Sequence, residues 1–148
     1  MRVAVACDHV GYLLKKVVVE TIHKSGHEVL DLGTNNSERV DYPDFAEKAG
    51  RAIQQGNAER AILLCGSGVG ICIAANKIKG VYASVCHDTY SAHQGVEHDN
   101  MNTLCLGGRV IGPELAIEIV RSFLSAKFLD TGNYKKRVNK VSALEQKS

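Results

Sequence analysis

The sequence lacks the features that would tie it to a membrane, to nucleic acid or to a disulfide-stapled fold. No apolar run approaches the ~20 residues of a membrane span. The charges nearly balance, at 18 basic and 16 acidic residues with a formal net charge of +2. That excess is too weak to argue for nucleic acid or a membrane surface as partner, so an anionic ligand would need a local cluster of donors. The five cysteines, Cys7, Cys65, Cys72, Cys86 and Cys105, are an odd number and contain no CxxC pair. This speaks against both a disulfide framework and a structural zinc site. The first residues run straight into a strand-like stretch with no signal-peptide pattern, so the expected location is the cytoplasm. No internal repeat, linker or low-complexity stretch interrupts the chain, and one domain spanning residues 1–148 is expected.

What is present is an alternation of short apolar runs with helical patterns. Val3 to Cys7, Val29 to Leu32, Ala61 to Leu64, Val81 to Val85 and Thr103 to Leu106 read as five strands. Leu13, Leu14, Val17, Val18 and Ile22 recur at helical spacing, and Gly26 closes that helix. Pro43 opens a helix reaching Gln55, with Gly56 as its stop, and Pro113 opens a long helix. In that long helix Leu115, Ala116, Ile119, Val120, Phe123 and Leu124 form one stripe. A basic segment from Tyr134 carries Val138, Val141 and Leu144, which predicts a last amphipathic helix docked on the rest. The fold class expected is α/β: a three-layer α/β/α sandwich around a five-stranded parallel sheet of Rossmann-like type, plus a C-terminal helix.

Such sheets bind ligands beyond the carboxyl ends of their strands. Reading only those ends collects Asp8-His9, Gly33-Thr34, Cys65 to Gly70, Cys86-His87-Asp88 and Gly107-Gly108-Arg109. The loop Cys65-Gly66-Ser67-Gly68-Val69-Gly70 stands out. Its three glycines let the backbone turn with N–H groups pointing inward, and a helix follows, so it can hold an anion. It fits neither a dinucleotide fingerprint, which needs glycine at the position of Ile71, nor a P-loop, which needs a Gly-Lys pair. It also lacks the arginine of a cysteine-phosphatase loop, again because Ile71 stands there. The residues alone leave a plain strand-to-helix turn as the other reading. Cys65 is either an inert buried thiol or a base or nucleophile activated by its place at a helix start. The Ser67 hydroxyl could reach the same ligand.

Six histidines are present. His23 and His27 flank a helix end and should face solvent, while His87 and His93 read as structural polar residues. His9 follows a strand end, and His98 lies in His98-Asp99-Asn100-Met101-Asn102 just before the fifth strand; these two are the better functional candidates. No pairing of histidine with carboxylate shows convincing metal-ligand spacing.

The segments Cys7-Asp8-His9-Val10-Gly11, Ser37 to Pro43, Cys65 to Ile71, Ala74-Ala75-Asn76-Lys77, His98 to Asn102 and Leu106 to Val110 together resemble type-B ribose-5-phosphate isomerase, and more broadly the ribose/galactose-phosphate isomerase family. The match covers nearly the whole chain in order. The resemblance implies strand order 2-1-3-5-4 and a reaction without metal or other cofactor, in which ribose 5-phosphate and ribulose 5-phosphate interconvert through an enediolate. It implies that Cys65 moves a proton between C1 and C2, that His98 opens the furanose ring, and that Ser67 handles protons on the enediolate oxygens. Backbone N–H groups from Gly66 through Gly68 and Val69 to Gly70 would hold the developing charge. Asp8, His9, Tyr42 and Asp99 would contact sugar hydroxyls or neighbouring donors, and Arg109 and Arg137 the phosphate. It further implies a homodimer or tetramer whose sites draw on two subunits. The chemistry suits these residue types: isomerisation needs a base and a stabiliser for oxyanions, and one well-aimed oxyanion donor is worth roughly 10²–10³ in rate.

Two positions depart from the family pattern. Asn133-Tyr134 stands where relatives commonly have Arg-His, so Asn133 brings donors to the phosphate end but no charge. Asp99 stands where relatives often have asparagine. These changes bear on the substrate rather than the reaction type. They keep open an isomerase of allose 6-phosphate, galactose 6-phosphate, a tetrose phosphate or a free aldose. A non-catalytic sugar-phosphate-binding module is the reading from another class.

Overall fold

The computed structural model describes residues 1–147. Chain order runs β1 (Arg2–Cys7), α1 (Tyr12–Lys24), β2 (Glu28–Asp31), α2 (Tyr42–Gln54), β3 (Arg60–Cys65), α3 (Val69–Ala75), β4 (Ala83–Val85), α4 (Thr89–Asp99), β5 (Thr103–Gly107), α5 (Pro113–Ser125) and α6 (Gly132–Gln146). All strand pairs are parallel, in the order β2-β1-β3-β5-β4. Both the Rossmann-like α/β class and the strand order agree with expectation.

Period-two alternation builds two cores from one sheet. Val3, Val5 and Cys7 of β1 join Ile62 and Leu64 of β3 and Leu104 and Leu106 of β5 on one face, under α1, α4 and α5. Ala4 and Ala6 join Ala61, Leu63, Cys65 and Cys105 on the other, under α2 and α3. Ala4, Ala6 and Ala61 on the second face meet the small facing residues Ala46, Ala49 and Ala52 of α2, which lets that helix approach closely. Arg60 at the start of β3 donates to the carbonyls of Phe123 and Ala126, tying the last turn of α5 to the sheet edge. No helix of the described residues is long and apolar enough to cross a membrane.

Three local expectations change, and one helix appears that the sequence did not announce. The fourth strand is only Ala83–Val85; Val81 is buried but its N–H bonds Ile78, closing a turn rather than joining the ladder. Leu115, the first residue of the expected α5 stripe, is 38% exposed, while Ala116, Ile119, Val120, Phe123 and Leu124 are buried. Helix α4 carries little apolar patterning and is set at its start by Asp88, whose side chain accepts from Ser91 N–H at 2.6 Å. The last helix forms, beginning at Gly132, and docks only loosely, through the His98–Tyr134 stack, the Tyr82–Ser142 hydroxyl pair and a hydrogen bond from Gly80 N–H to Glu145. It buries no residue, and Val141 and Leu144 are 50% and 66% exposed. Of the stripe, Val138 is half-buried, and Val141 and Leu144 stay largely uncovered among the described residues.

Candidate active site

In this strand order the chain runs outward in both directions from β1 and β3, so the crevice beyond their carboxyl ends is the switch point where open α/β sheets bind ligands. Two turns occupy it. After β1, Asp8 N–H bonds the Leu64 carbonyl, and a Cβ at Gly11 would lie 2.1 Å from that same oxygen. Only glycine allows the turn to sit so close to β3. The Asp8 carboxylate is largely committed to this turn, since its Oδ1 accepts from the N–H groups of Val10 and Gly11 at 3.0 and 2.9 Å.

After β3, Cys65 is 5% exposed, and its Sγ accepts from Gly68 N–H at 3.1 Å. Gly68 has φ +82°, a left-handed conformation that folds the loop back on the sulfur. Ser67 is exposed, and its Oγ accepts from Val69 N–H at 3.2 Å. The amides of Ser67, Gly70 and Ile71 find no acceptor among the described residues, so they are free for a ligand. The loop is clipped from beyond β5, with Gly108 N–H to the Cys65 carbonyl at 2.8 Å and Arg109 N–H to Gly66 at 3.0 Å.

Asp8, Tyr42, Cys65, Ser67 and Arg109 border one open hollow of about 440 Å³, and the Tyr42 ring packs against Gly70. A second hollow of about 480 Å³ shares Asp8 and Tyr42 and adds His9 and Arg39. The half-buried His9 accepts from Val40 N–H at its Nδ1, 3.3 Å away, which ties the loop before α2 to this edge. Thus Cys65, Ser67, Asp8, His9, Tyr42, Arg109 and the loop glycines gather as expected, with Val69 exposed at the start of α3.

The other expected residues do not join them. His98 ends α4, with Nδ1 2.9 Å from Gln94 Nε2 and its ring stacked on Tyr134 of α6 at 4.4 Å between centroids and 17° between planes. Asp99 faces a separate hollow of about 480 Å³ beside Gln94 and Val141. Asn133 and Arg137 are exposed on the first turns of α6. No hydrogen bond, ion pair or shared hollow among the described residues links His98 to Cys65.

The remaining histidines have structural partners, with one change. His87 Nε2 accepts from Gly107 N–H at 2.9 Å and, chiefly through burial, titrates below the usual histidine range. His93 contacts Ser122 and Glu97. His23 is exposed, but His27 is half-buried, with Nδ1 3.1 Å from the terminal amino group.

Among the thiols, burial pushes Cys7 up to about 11 and also raises Cys86. Cys105 is raised well above the usual thiol value, first by its hydrogen bond to Cys72 and then by burial. Cys72, half-buried on α3, is lowered to about 7 by that bond. Cys72 thus departs from the buried, unpaired thiol that the sequence suggests for it. Cys72 was missed, because its partner lies on β5 and no sequence spacing joins them. Gln94 was missed too, although it sits one helical turn before His98 and its i, i+4 spacing could have pointed to it.

The model of the Ribose/Galactose Isomerase family matches residues 3–141. The chain belongs to the ribose/galactose isomerase family. The chain is 44% identical to ribose-5-phosphate isomerase B of Escherichia coli over 99% of its own length and 97% of that protein. It is 39% identical to the D-erythrulose-4-phosphate isomerase of Pectobacterium atrosepticum, over 98% and 95%. Its fold is similar to that of ribose-5-phosphate isomerase B from Clostridium thermocellum, with TM-score 0.95, 44% identity and 99% of each chain covered. As a member of this family the protein is an enzyme, an aldose–ketose isomerase.

Proposed function

We propose that this isomerase interconverts ribose 5-phosphate and ribulose 5-phosphate, with Cys65 as the base. The observation that carries the reading is the Cys65 sulfur held by Gly68 N–H beside amides that have no protein acceptor. Cys65 takes the proton from C2 of the open-chain aldose and returns it to C1. Electrons from the C2–H bond form the C1–C2 double bond while the C1 carbonyl becomes an enediolate oxygen. Within the Gly66–Gly70 loop the unoccupied amides of Ser67 and Gly70 stabilise that charge in place, and the Ser67 hydroxyl passes protons between O1 and O2. Asp8, His9 and Tyr42 line the sugar, and Arg109 faces the phosphate with a fork that can bond two of its oxygens.

In this reading His98 serves ring opening, Asp99 contacts sugar hydroxyls, and Asn133 and Arg137 lie at the phosphate. Because these residues share no hollow with Cys65 in one chain, a second copy supplies them, in a homodimer or a dimer of dimers. The uncovered Val141 and Leu144 on α6 supply an apolar surface for that contact. The expected setting is the cytoplasm and the pentose phosphate pathway, with no metal or cofactor and neither nucleic acid nor membrane as partner.

A second reading, isomerisation of a tetrose 4-phosphate, is favoured by the uncharged Asn133 and by the similarity to an enzyme named for erythrulose 4-phosphate. A substrate panel monitored for aldose–ketose conversion decides between them. Ribose 5-phosphate should give the highest kcat/KM. Negligible turnover of ribose 5-phosphate beside efficient turnover of erythrose 4-phosphate would replace the first reading with the second.

A further inference from the structure

His98 is held more firmly than a histidine near the end of an exposed helix requires. Gln94 lies one turn earlier on α4, and its side-chain amide meets His98 Nδ1 at 2.9 Å. Tyr134, from the first turn of α6, covers one face of the ring in a near-parallel stack. Both the imidazole and Gln94 are half-buried. The C-terminal end of α4 is itself fixed, because Asn100 adopts φ 54° and Met101 N–H returns to the Gly95 carbonyl at 3.0 Å.

We propose that Gln94 and Tyr134 are positioning residues that reserve His98 Nδ1 and leave Nε2 as the one nitrogen that exchanges protons with the sugar. The argument rests on the reading of His98 as the ring-opening group. An amide can serve an imidazole in either protonation state. Its NH₂ donates to a bare Nδ1, and after a half-turn its oxygen accepts from a protonated one. In both cases Nδ1 is occupied, and Nε2 has no partner among the described residues.

Ring opening then balances on a single nitrogen. Protonated Nε2 gives its proton to the furanose ring oxygen as the C1–O4 bond breaks and its electron pair stays on O4. The O1–H pair becomes the C1=O1 double bond, and the O1 proton returns to Nε2. The amide oxygen accepts from Nδ1–H throughout, so no side chain has to move between the two transfers. Tyr134 fixes the ring plane, and its position in α6 couples His98 to the helix that also carries Asn133 and Arg137. The charged groups on the two helices meeting here are Glu97 and Asp99 on α4 and Lys135, Lys136, Arg137, Lys140 and Glu145 on α6, the last accepting from Gly80 N–H. Glu97 is paired with His93, and Lys135 lies 3.9 Å from Asp130.

The test uses a substrate that needs no ring opening. A tetrose carrying phosphate on O4 cannot close a furanose ring, so comparing it with ribose 5-phosphate isolates the His98 step. In the full-length protein, Gln94→Leu should lower kcat on ribose 5-phosphate about tenfold relative to erythrose 4-phosphate, an effect at the low end of acid–base catalysis. The ¹⁵N shifts of the His98 ring should change from one dominant tautomer to a mixture. Gln94→Glu, which can only accept, should enforce Nδ1–H and move the His98 titration upward by about one pH unit. Tyr134→Ala should reproduce the Gln94→Leu loss, and Tyr134→Phe, which keeps the stack, should restore the native rate ratio. His98→Asn is the control for the underlying reading. If it leaves the ribose-to-tetrose ratio intact, His98 does not open the ring. If it collapses the ratio while Gln94→Leu changes neither the ratio nor the ¹⁵N pattern, the positioning role is overturned and the role of His98 survives.

Discussion

The loop after β3 and the corner where α4 meets α6 are built by opposite means. The loop is a backbone construction. Its sulfur is held by a main-chain N–H, its shape by a left-handed glycine, and its base by main-chain bonds of 2.8 and 3.0 Å from beyond β5. The corner is a side-chain construction, in which an amide, an imidazole and a phenol meet from two helices and no residue of α6 is buried. A backbone site is stiff and complete in one chain. A side-chain corner on an uncovered helix can be set against a second molecule. The difference matches the division of labour proposed above, with proton transfer at carbon and Arg109 on the rigid side, and ring opening and the second phosphate contacts on the side that assembly brings in.

The largest effect should come from emptying the rigid side. Cys65→Ala is expected to lower isomerisation by about 10³-fold or more and to abolish deuterium incorporation at C2. Sugar-phosphate binding, followed by calorimetry, should survive. Full activity in this variant would remove Cys65 as the base.

Stability should divide along the same line. Gly11→Ala pushes a Cβ into the Leu64 backbone and should cost about 3 kcal/mol in denaturant unfolding, because neither turn can retreat. At Gly95 on α4 the added methyl would meet the end of Met101 at 3.1 Å, a flexible side chain that can give way. The helical gain from alanine should hold that change to within about 1 kcal/mol. Equal losses at the two sites would erase the contrast between stiff loop and compliant corner.

On the corner itself, Asn133→Arg should restore a charge where relatives commonly carry one. It should tighten phosphate-bearing substrates by roughly fivefold to tenfold, the scale of one added charge-assisted hydrogen bond. An unchanged KM would mean that Arg109 and Arg137 already satisfy the phosphate.

The smallest effect is a change of pH dependence. Folded His87 is held below its ordinary value of 6.5 mainly by burial, and in its neutral form it accepts from Gly107 N–H, next to the clip on the Cys65 loop. The unfolded chain therefore takes up the proton first. Stability is fully present above about 6.5 and falls as pH drops through the lower folded value. His87→Gln, which accepts without titrating, should flatten the acid side of a stability-versus-pH curve. A curve identical to that of the native protein would remove His87 from this role.

What could be read from the sequence follows from how each region is made. The strands, the two helices opened by proline and the glycine loop are local signals, and the parallel sheet with its ligand edge follows from them. Pairings between distant residues were not legible. Nothing near Cys72 announces the Cys105 thiol, and nothing in the spacing of His98 and Tyr134 announces their stack. The misreading of α6 has a physical cause as well. An apolar stripe of Val138, Val141 and Leu144 shows that a helix has a face to bury, but not whether its own chain provides the cover. The candidate residues could be named from the sequence but not grouped, because Cys65 and His98 share no hollow or hydrogen bond among the described residues.

The most direct test of that division is to mix two disabled proteins. Cys65→Ala and His98→Asn, co-expressed or refolded together, should regain about a quarter of native activity on ribose 5-phosphate, since half the dimers would be mixed and each would hold one intact site of two. Activity no greater than the sum of the two variants alone would contradict it, because both groups would then act within one chain.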